Sequence, residues 1–188
     1  IDVASQGRLL IGIGAAWNQT EHDAYGIEFP PLKTRMDMLE EACEVLDLLL
    51  RQQESTFSGE HYQLQSAFCE PKPVQQPRPP IIIGGAGERR TLRIAARFAD
   101  HWNYPGRDAL ELRHKLGVLE RHCAEVGRDP STIEVSAHIF EPFDDVESIR
   151  HAKEMHEAGC DELILYSKAP YDARRLQDLA KKIRSAVG

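Results

Sequence analysis

Pro79-Pro80-Ile81-Ile82-Ile83-Gly84-Gly85-Ala86-Gly87-Glu88-Arg89-Arg90-Thr91-Leu92-Arg93 is the stretch whose reading decides the fold. A short β-branched run, held off upstream by prolines, enters a glycine cluster and leaves it with a helical pattern. That order predicts a buried strand, a tight loop and a helix starting near Glu88. Glycines let the backbone take positive φ and come close to a ligand, and the first amides of a helix lack internal partners at the positive end of its dipole. Gly84, Gly85, Ala86, Gly87, Glu88 and Arg89 are therefore candidate contacts for a phosphate. The same glycines also suit a plain strand-to-helix turn.

Working outward, the pattern repeats. Leu9 to Ile13 form an apolar run followed by the small-residue segment Gly14-Ala15-Ala16-Trp17-Asn18. Met36, Leu39, Cys43, Leu46 and Leu50 recur at helical spacing, with Arg35, Asp37, Glu40, Glu41 and Glu44 between them as a solvated face. Thr56 to Tyr62 reads as a short hairpin, inserted before a linker containing Pro71, Pro73, Pro77, Pro79 and Pro80. Beyond the glycine cluster, Leu92, Ala95, Ala96 and Ala99 give a small-residue helical face, and Arg97 is expected to pair with an acid such as Asp100. Asp100 to Tyr104 reads as a strand with polar and aromatic side chains at its end.

Leu112, Leu116, Leu119, Cys123 and Val126 mark another helix, closed by Gly127. Ile133, Val135, Ala137 and Ile139 alternate with Glu134, Ser136, His138 and Phe140, so one strand face is apolar and the other mostly polar. The polar face suits either an interior holding polar groups or a ligand, or an exposed edge. A helix through Ile149 and His156, a strand at Leu163 to Tyr166 and a last helix through Leu176 and Ile183 complete the order. Five strand-helix units imply α/β architecture with a parallel sheet, either open and doubly wound or part of a (β/α) barrel. Ligands of such folds gather at the carboxyl ends of the strands. The glycine cluster, Trp17-Asn18, His101-Trp102 and His138 are expected there, with His101, Trp102 and His138 lining a substrate pocket.

Composition narrows the function classes. The 188 residues are 41% hydrophobic and 28% charged with a net charge of -7, which suits a single soluble domain over residues 1–188. An acidic chain lacks the broad basic surface that nucleic acid or anionic lipid would select, and no apolar run approaches the roughly 20 residues of a membrane span. Cys43, Cys69, Cys123 and Cys160 are too scattered for a paired-cysteine zinc site or a disulfide scaffold, so no metal is expected and a cytoplasmic setting fits best. Ile1 is not an initiator methionine, and the first strand comes within a few residues of it, so the chain reads as a fragment.

These residues together resemble the luciferase-like monooxygenase superfamily, in its branch of oxidoreductases that use the deazaflavin coenzyme F420. The resemblance is carried by Gly7 through Trp17, Glu21, Tyr25-Gly26, Phe29-Pro30-Pro31-Leu32 and Arg35, and by Phe57, Gly59 and Tyr62. It continues through Pro71, Lys72, Pro73, Pro77 and Pro80 to Gly85, then Ala95-Ala96-Arg97, Ala99-Asp100, Trp102 and Gly127-Arg128-Asp129-Pro130. It implies a partial TIM (β/α)8 barrel, entered at the fourth strand, with an inserted hairpin. It also implies a complete protein that transfers hydride between F420 and a small organic substrate. Gly14, Ala15, Ala16 and Asn18 would pack beside the ring, Gly84 to Arg89 would hold the phosphate, and the catalytic residues stay unassigned. FMN-dependent monooxygenase chemistry and a non-catalytic phosphate-ligand binding or assembly protein are the alternatives. Unpaired strand edges near Leu10 and Ile164 would favour a homo-oligomer.

Overall fold

The computed structural model describes residues 1–188. The chain groups into two compact units, one of Ile1–Ile83 with Phe98–Asp100 and the other of Gly84–Arg97 with His101–Gly188.

The first unit begins with α1 (Asp2–Ser5), β1 (Ile11–Ile13), α2 (Gln19–Tyr25) and α3 (Leu32–Arg51). The hairpin β2 (Ser55–Ser58) and β3 (Gln63–Ala67) and the strand β4 (Ile81–Gly84) follow, with Gly84 itself grouped in the second unit. β1 and β4 pair in parallel, Gly12 opposite Ile82. Met36, Leu39 and Cys43 of α3 are buried, as the helical spacing predicts.

Three polar anchors organise this unit, none of them apparent in the sequence. Asp2 is buried and accepts hydrogen bonds from the Val74 and Gln75 amides (2.8 and 3.1 Å) and from Gln75 Nε2 (2.8 Å), pinning the proline-rich linker. Glu41, read above as mere surface charge, accepts from the backbone amides of Glu60, His61 and Tyr62 at 2.8, 2.9 and 3.0 Å. Burial alone would raise its pKa; those three amides outweigh it and hold the carboxyl below its ordinary range. Arg78 meets Asp47 (2.8 Å), the Asp100 carboxylate and the carbonyls of Pro79 and Phe98. Asp100 also accepts from the Ile81 amide at 2.8 Å.

The second unit runs through α4 (Thr91–Phe98, its last residue grouped with the first unit), β5 (His101–Asn103), α5 (Ala109–Val126), a 3-10 turn (Pro130–Thr132), β6 (Glu134–Phe140), α6 (Asp145–Glu157), β7 (Glu162–Tyr166) and α7 (Ala173–Val187). β5, β6 and β7 pair in parallel, with Asn103 opposite Ser136 and His138 opposite Ile164. Asp108, Asp144 and Asp172 cap the N-termini of α5, α6 and α7 by accepting amide hydrogen bonds, and Gly127 closes α5 with φ 69°. The apolar face of β6 lies against the helices. Ile139 packs with Ala152, Leu179 and Ile183, flanked by Leu163, Leu165 and Phe143. Fully burying a leucine such as Leu179 contributes about 2 kcal/mol. That core turns the opposite face of β6, with Glu134, Ser136, His138 and Phe140, away from the helix layer.

Candidate active site

The loop after β4 is built from within. Gly85 has φ 123°, a region closed to most side chains, and its amide donates to the Asn103 carbonyl at 3.1 Å. Trp102 is fully buried, and its indole Nε1 donates to the Gly85 carbonyl at 2.7 Å. Both polar groups of Gly85 are thereby fixed by β5. A Cβ on Gly87 would lie 2.9 Å from Thr91 Oγ1, so the chain passes too close to α4 for any side chain there.

Glu88, Arg89 and Arg90 form turns, and α4 starts at Thr91 rather than near Glu88. The reason lies in α5. Glu88 Oε1 accepts from Lys115 Nζ at 2.8 Å and faces His114 Nε2 at 3.1 Å, while the His122 ring donates to the Glu88 carbonyl at 2.8 Å. Lys115 and then His114 hold the Glu88 carboxyl below its ordinary pKa range. Glu88 is thus a tether for the loop, whereas Arg89 is exposed beside it.

At the carboxyl ends of β5 and β6 a polar cluster forms on the face turned from the helices. Asn103 Nδ2 donates to Ser136 Oγ at 2.8 Å and meets His138 Nε2 at 3.2 Å. An amide NH2 can only donate, so His138 Nε2 accepts and its proton sits on Nδ1. Burial moves the His138 pKa below 6.5, which keeps the ring neutral at pH 7. Around it stand Phe140 (ring centroids 5.6 Å apart) and Tyr166 (5.4 Å), and the Arg107 guanidinium lies 4.0 Å over Phe140. Arg107 is aimed by the turn before it: a Cβ on Gly106 would strike the Tyr104 hydroxyl at 2.1 Å, so only glycine lets the chain cross there. Tyr104 is fully buried and donates to Glu111 Oε2 at 2.8 Å.

The neutral state of His138 gives a pH expectation. A histidine whose folded pKa is depressed binds fewer protons folded than unfolded, so its contribution is complete above pH 6.5 and is lost as pH falls through the lowered value. His151, also lowered by burial, adds in the same direction. Thermal unfolding midpoints should therefore fall between pH 7.5 and 5.5, and His138→Asn should flatten that slope.

Not every residue singled out in the sequence reaches this end. His101 opens β5 and lies at the amino-terminal end, buried beside Glu134 and Glu162. Trp102, alternating to the helix side, is a strut for the glycine loop rather than a pocket wall. In the first unit, Gly14 to Asn18 form a loop clamped by Arg35, whose Nη1 donates to the Ala15 carbonyl at 3.1 Å and the Ala16 carbonyl at 2.5 Å. Ala16 sits at φ 59°, and the Asn18 side chain is engaged as the cap of α2. Asn103, Arg107 and Tyr166 went unassigned in the sequence. Asn103 and Tyr166 are signalled only by alternation with buried neighbours on short strands, and Arg107 only by its place in the loop after Gly106.

Comparison with known proteins agrees with this architecture. The family profile described as luciferase-like monooxygenase matches residues 1–184. An uncharacterized protein of Mycobacterium tuberculosis is 34% identical over 129 residues, covering 69% of this chain and 44% of its own length. A Kineococcus radiotolerans protein named F420-dependent glucose-6-phosphate dehydrogenase is 30% identical over 143 residues, 74% of this chain and 41% of that protein. The chain thus spans less than half the length of these relatives. Among solved structures, the coenzyme F420-dependent tetrahydromethanopterin reductase from Methanopyrus kandleri superposes with a TM-score of 0.80 at 15% identity, over 98% of this chain and 76% of that one.

Proposed function

Because the chain belongs to the luciferase-like monooxygenase family, we propose that it forms part of an oxidoreductase that uses coenzyme F420 on a small organic substrate. The observation that carries this reading is the loop Gly84 to Arg89. Gly85 is locked at positive φ, Gly87 carries no side chain toward α4, and Arg89 is exposed at the turn. Such a turn suits the phosphate of a cofactor tail, which an arginine can bind through two parallel hydrogen bonds. The F420 reading is supported further by the name of the Kineococcus relative.

When bound, a deazaflavin supplies a two-electron hydride carrier, and the protein supplies binding and orientation. Gly84, Gly85, Ala86, Gly87 and Arg89 would hold the phosphate, with Glu88 keeping the loop on α5. His138, neutral and protonated on Nδ1, would donate a hydrogen bond to a substrate oxygen, oriented by Asn103. Phe140 and Tyr166 would exclude water beside it, and Arg107 would attract an anionic substrate group. The loop Gly14 to Asn18 is proposed separately as a ring contact.

The test is spectroscopic titration of the protein with F420, with FMN and with a deazaflavin lacking the phosphate tail. Arg89→Ala should weaken F420 binding by about tenfold, the scale of one charge-assisted hydrogen bond, and leave the tail-less analogue unchanged. Tight FMN binding with no F420 binding would overturn the cofactor assignment. Self-association belongs to the same proposal, because β7 ends its sheet and Tyr166 is 57% exposed. Sedimentation at high concentration should show dimers or larger species, and a strict monomer would count against it.

A further inference from the structure

The amino-terminal ends of β5, β6 and β7 hold a second group of chemistry-bearing side chains, apart from the proposed cofactor site. His101, Glu134 and Glu162 are the first residues of these three strands. Parallel register places His101 opposite Glu134, and Ser136 opposite Glu162, so the three side chains share the face turned from the helices. His101 Nδ1 lies 3.7 Å from Glu134 Oε2, and Nε2 lies 3.8 Å from Glu162 Oε2.

Two features set this apart from ordinary surface acids. The His101 side chain is only 6% exposed, and its Nε2 is buried with no hydrogen-bond partner. A buried polar nitrogen of this kind is costly unless something occupies its lone pair. It also points at a carboxylate too far away for a hydrogen bond. One ligand atom from each residue falls within 4.8 Å of the other two. Bonds of about 2.0–2.2 Å to a common ion would place neighbouring ligands about 3.3 Å apart. Closing the gap asks only for small swings of the two glutamates, whose side chains are 56% and 53% exposed.

We propose that His101, Glu134 and Glu162 form a divalent-cation site that ties together the amino-terminal ends of β5, β6 and β7. One imidazole and two carboxylates suit Zn2+, Mn2+ or Fe2+, since sulfur-seeking Cu+ finds no thiolate and Ca2+ and Mg2+ prefer oxygen-only sets. Three protein ligands leave at least one position for water. The role is structural: the ion cross-links three strands drawn from separate strand-helix units and removes the repulsion between two carboxylates. This donor set of one histidine and two glutamates needs none of the paired cysteines that the chain lacks.

Isothermal titration of the metal-stripped chain with Zn2+, and separately with Mn2+, tests the site, with Co2+ visible absorption reporting the ligand geometry. One ion per chain should bind and raise the thermal midpoint. Glu134→Gln and Glu162→Gln, at half-exposed positions that tolerate the change, should each weaken binding by at least about tenfold, and His101→Asn by about 100-fold. Circular dichroism of each variant separates lost ligation from lost folding. No saturable binding at millimolar metal, or binding unmoved by all three substitutions, would overturn the site.

Discussion

Trp102→Ala is expected to lower the stability of the second unit by about 4 kcal/mol, the usual scale for emptying a fully buried tryptophan site. The residue has no exposed surface, and its indole nitrogen holds the Gly85 carbonyl at 2.7 Å. Two effects therefore combine, a cavity against the helix layer and a freed carbonyl in the glycine loop. Trp102→Phe separates them. It keeps most of the volume and loses the hydrogen bond, at a cost of about 1 kcal/mol, while the loop that carries Arg89 gains freedom. Urea unfolding measures the first effect and F420 titration the second. The phenylalanine variant should lose more in cofactor affinity than in stability. Equal stability of the alanine variant and the parent would contradict the packing role assigned to Trp102.

Arg78→Ala is expected to cost about 3 kcal/mol, because truncation leaves two carboxylates facing each other with their shared cation gone. The Arg78 side chain is 9% exposed and bonds Asp47, Asp100 and two carbonyls. Asp47 belongs to α3 and Asp100 to the segment after α4, so one guanidinium ties sequence-distant parts of the first unit. Lysine should recover little of the loss, since a single ammonium cannot reproduce the planar fork. Asp47 and Asp100 are 26% and 41% exposed, and water screens part of their repulsion. Raising salt should therefore soften the defect without abolishing it. A chemical-denaturation midpoint matching that of the parent would show the network to be dispensable.

Elements with a short-range cause were legible in the chain. The stripe Met36, Leu39 and Cys43 is buried in α3, Gly127 closes α5, and the alternation from Ile133 to Phe140 became β6 with one face against helices. Period, cap and turn chemistry act within a few residues, so they can be read without a structure. The start of α4 was misplaced by three residues because the Lys115 and His122 contacts that hold Glu88 come from another helix. Glu41 looked like solubilising charge for the same reason, since its three amide donors lie about twenty residues away.

The candidate site divides along the same line. By itself the sequence determined the family, the strand-helix order and the glycine loop, because each rests on local pattern and residue type. Only the tertiary structure decided what single strand positions do. A one-residue step along β5 separates His101, aimed at Glu134 and Glu162, from Trp102, sealed against the helix layer, and a second step reaches Asn103, which fixes the tautomer of His138. Adjacent letters in a strand point to opposite faces, and register with neighbouring strands sets which residues meet. That information lies in the pairing of β5, β6 and β7, which no single segment encodes.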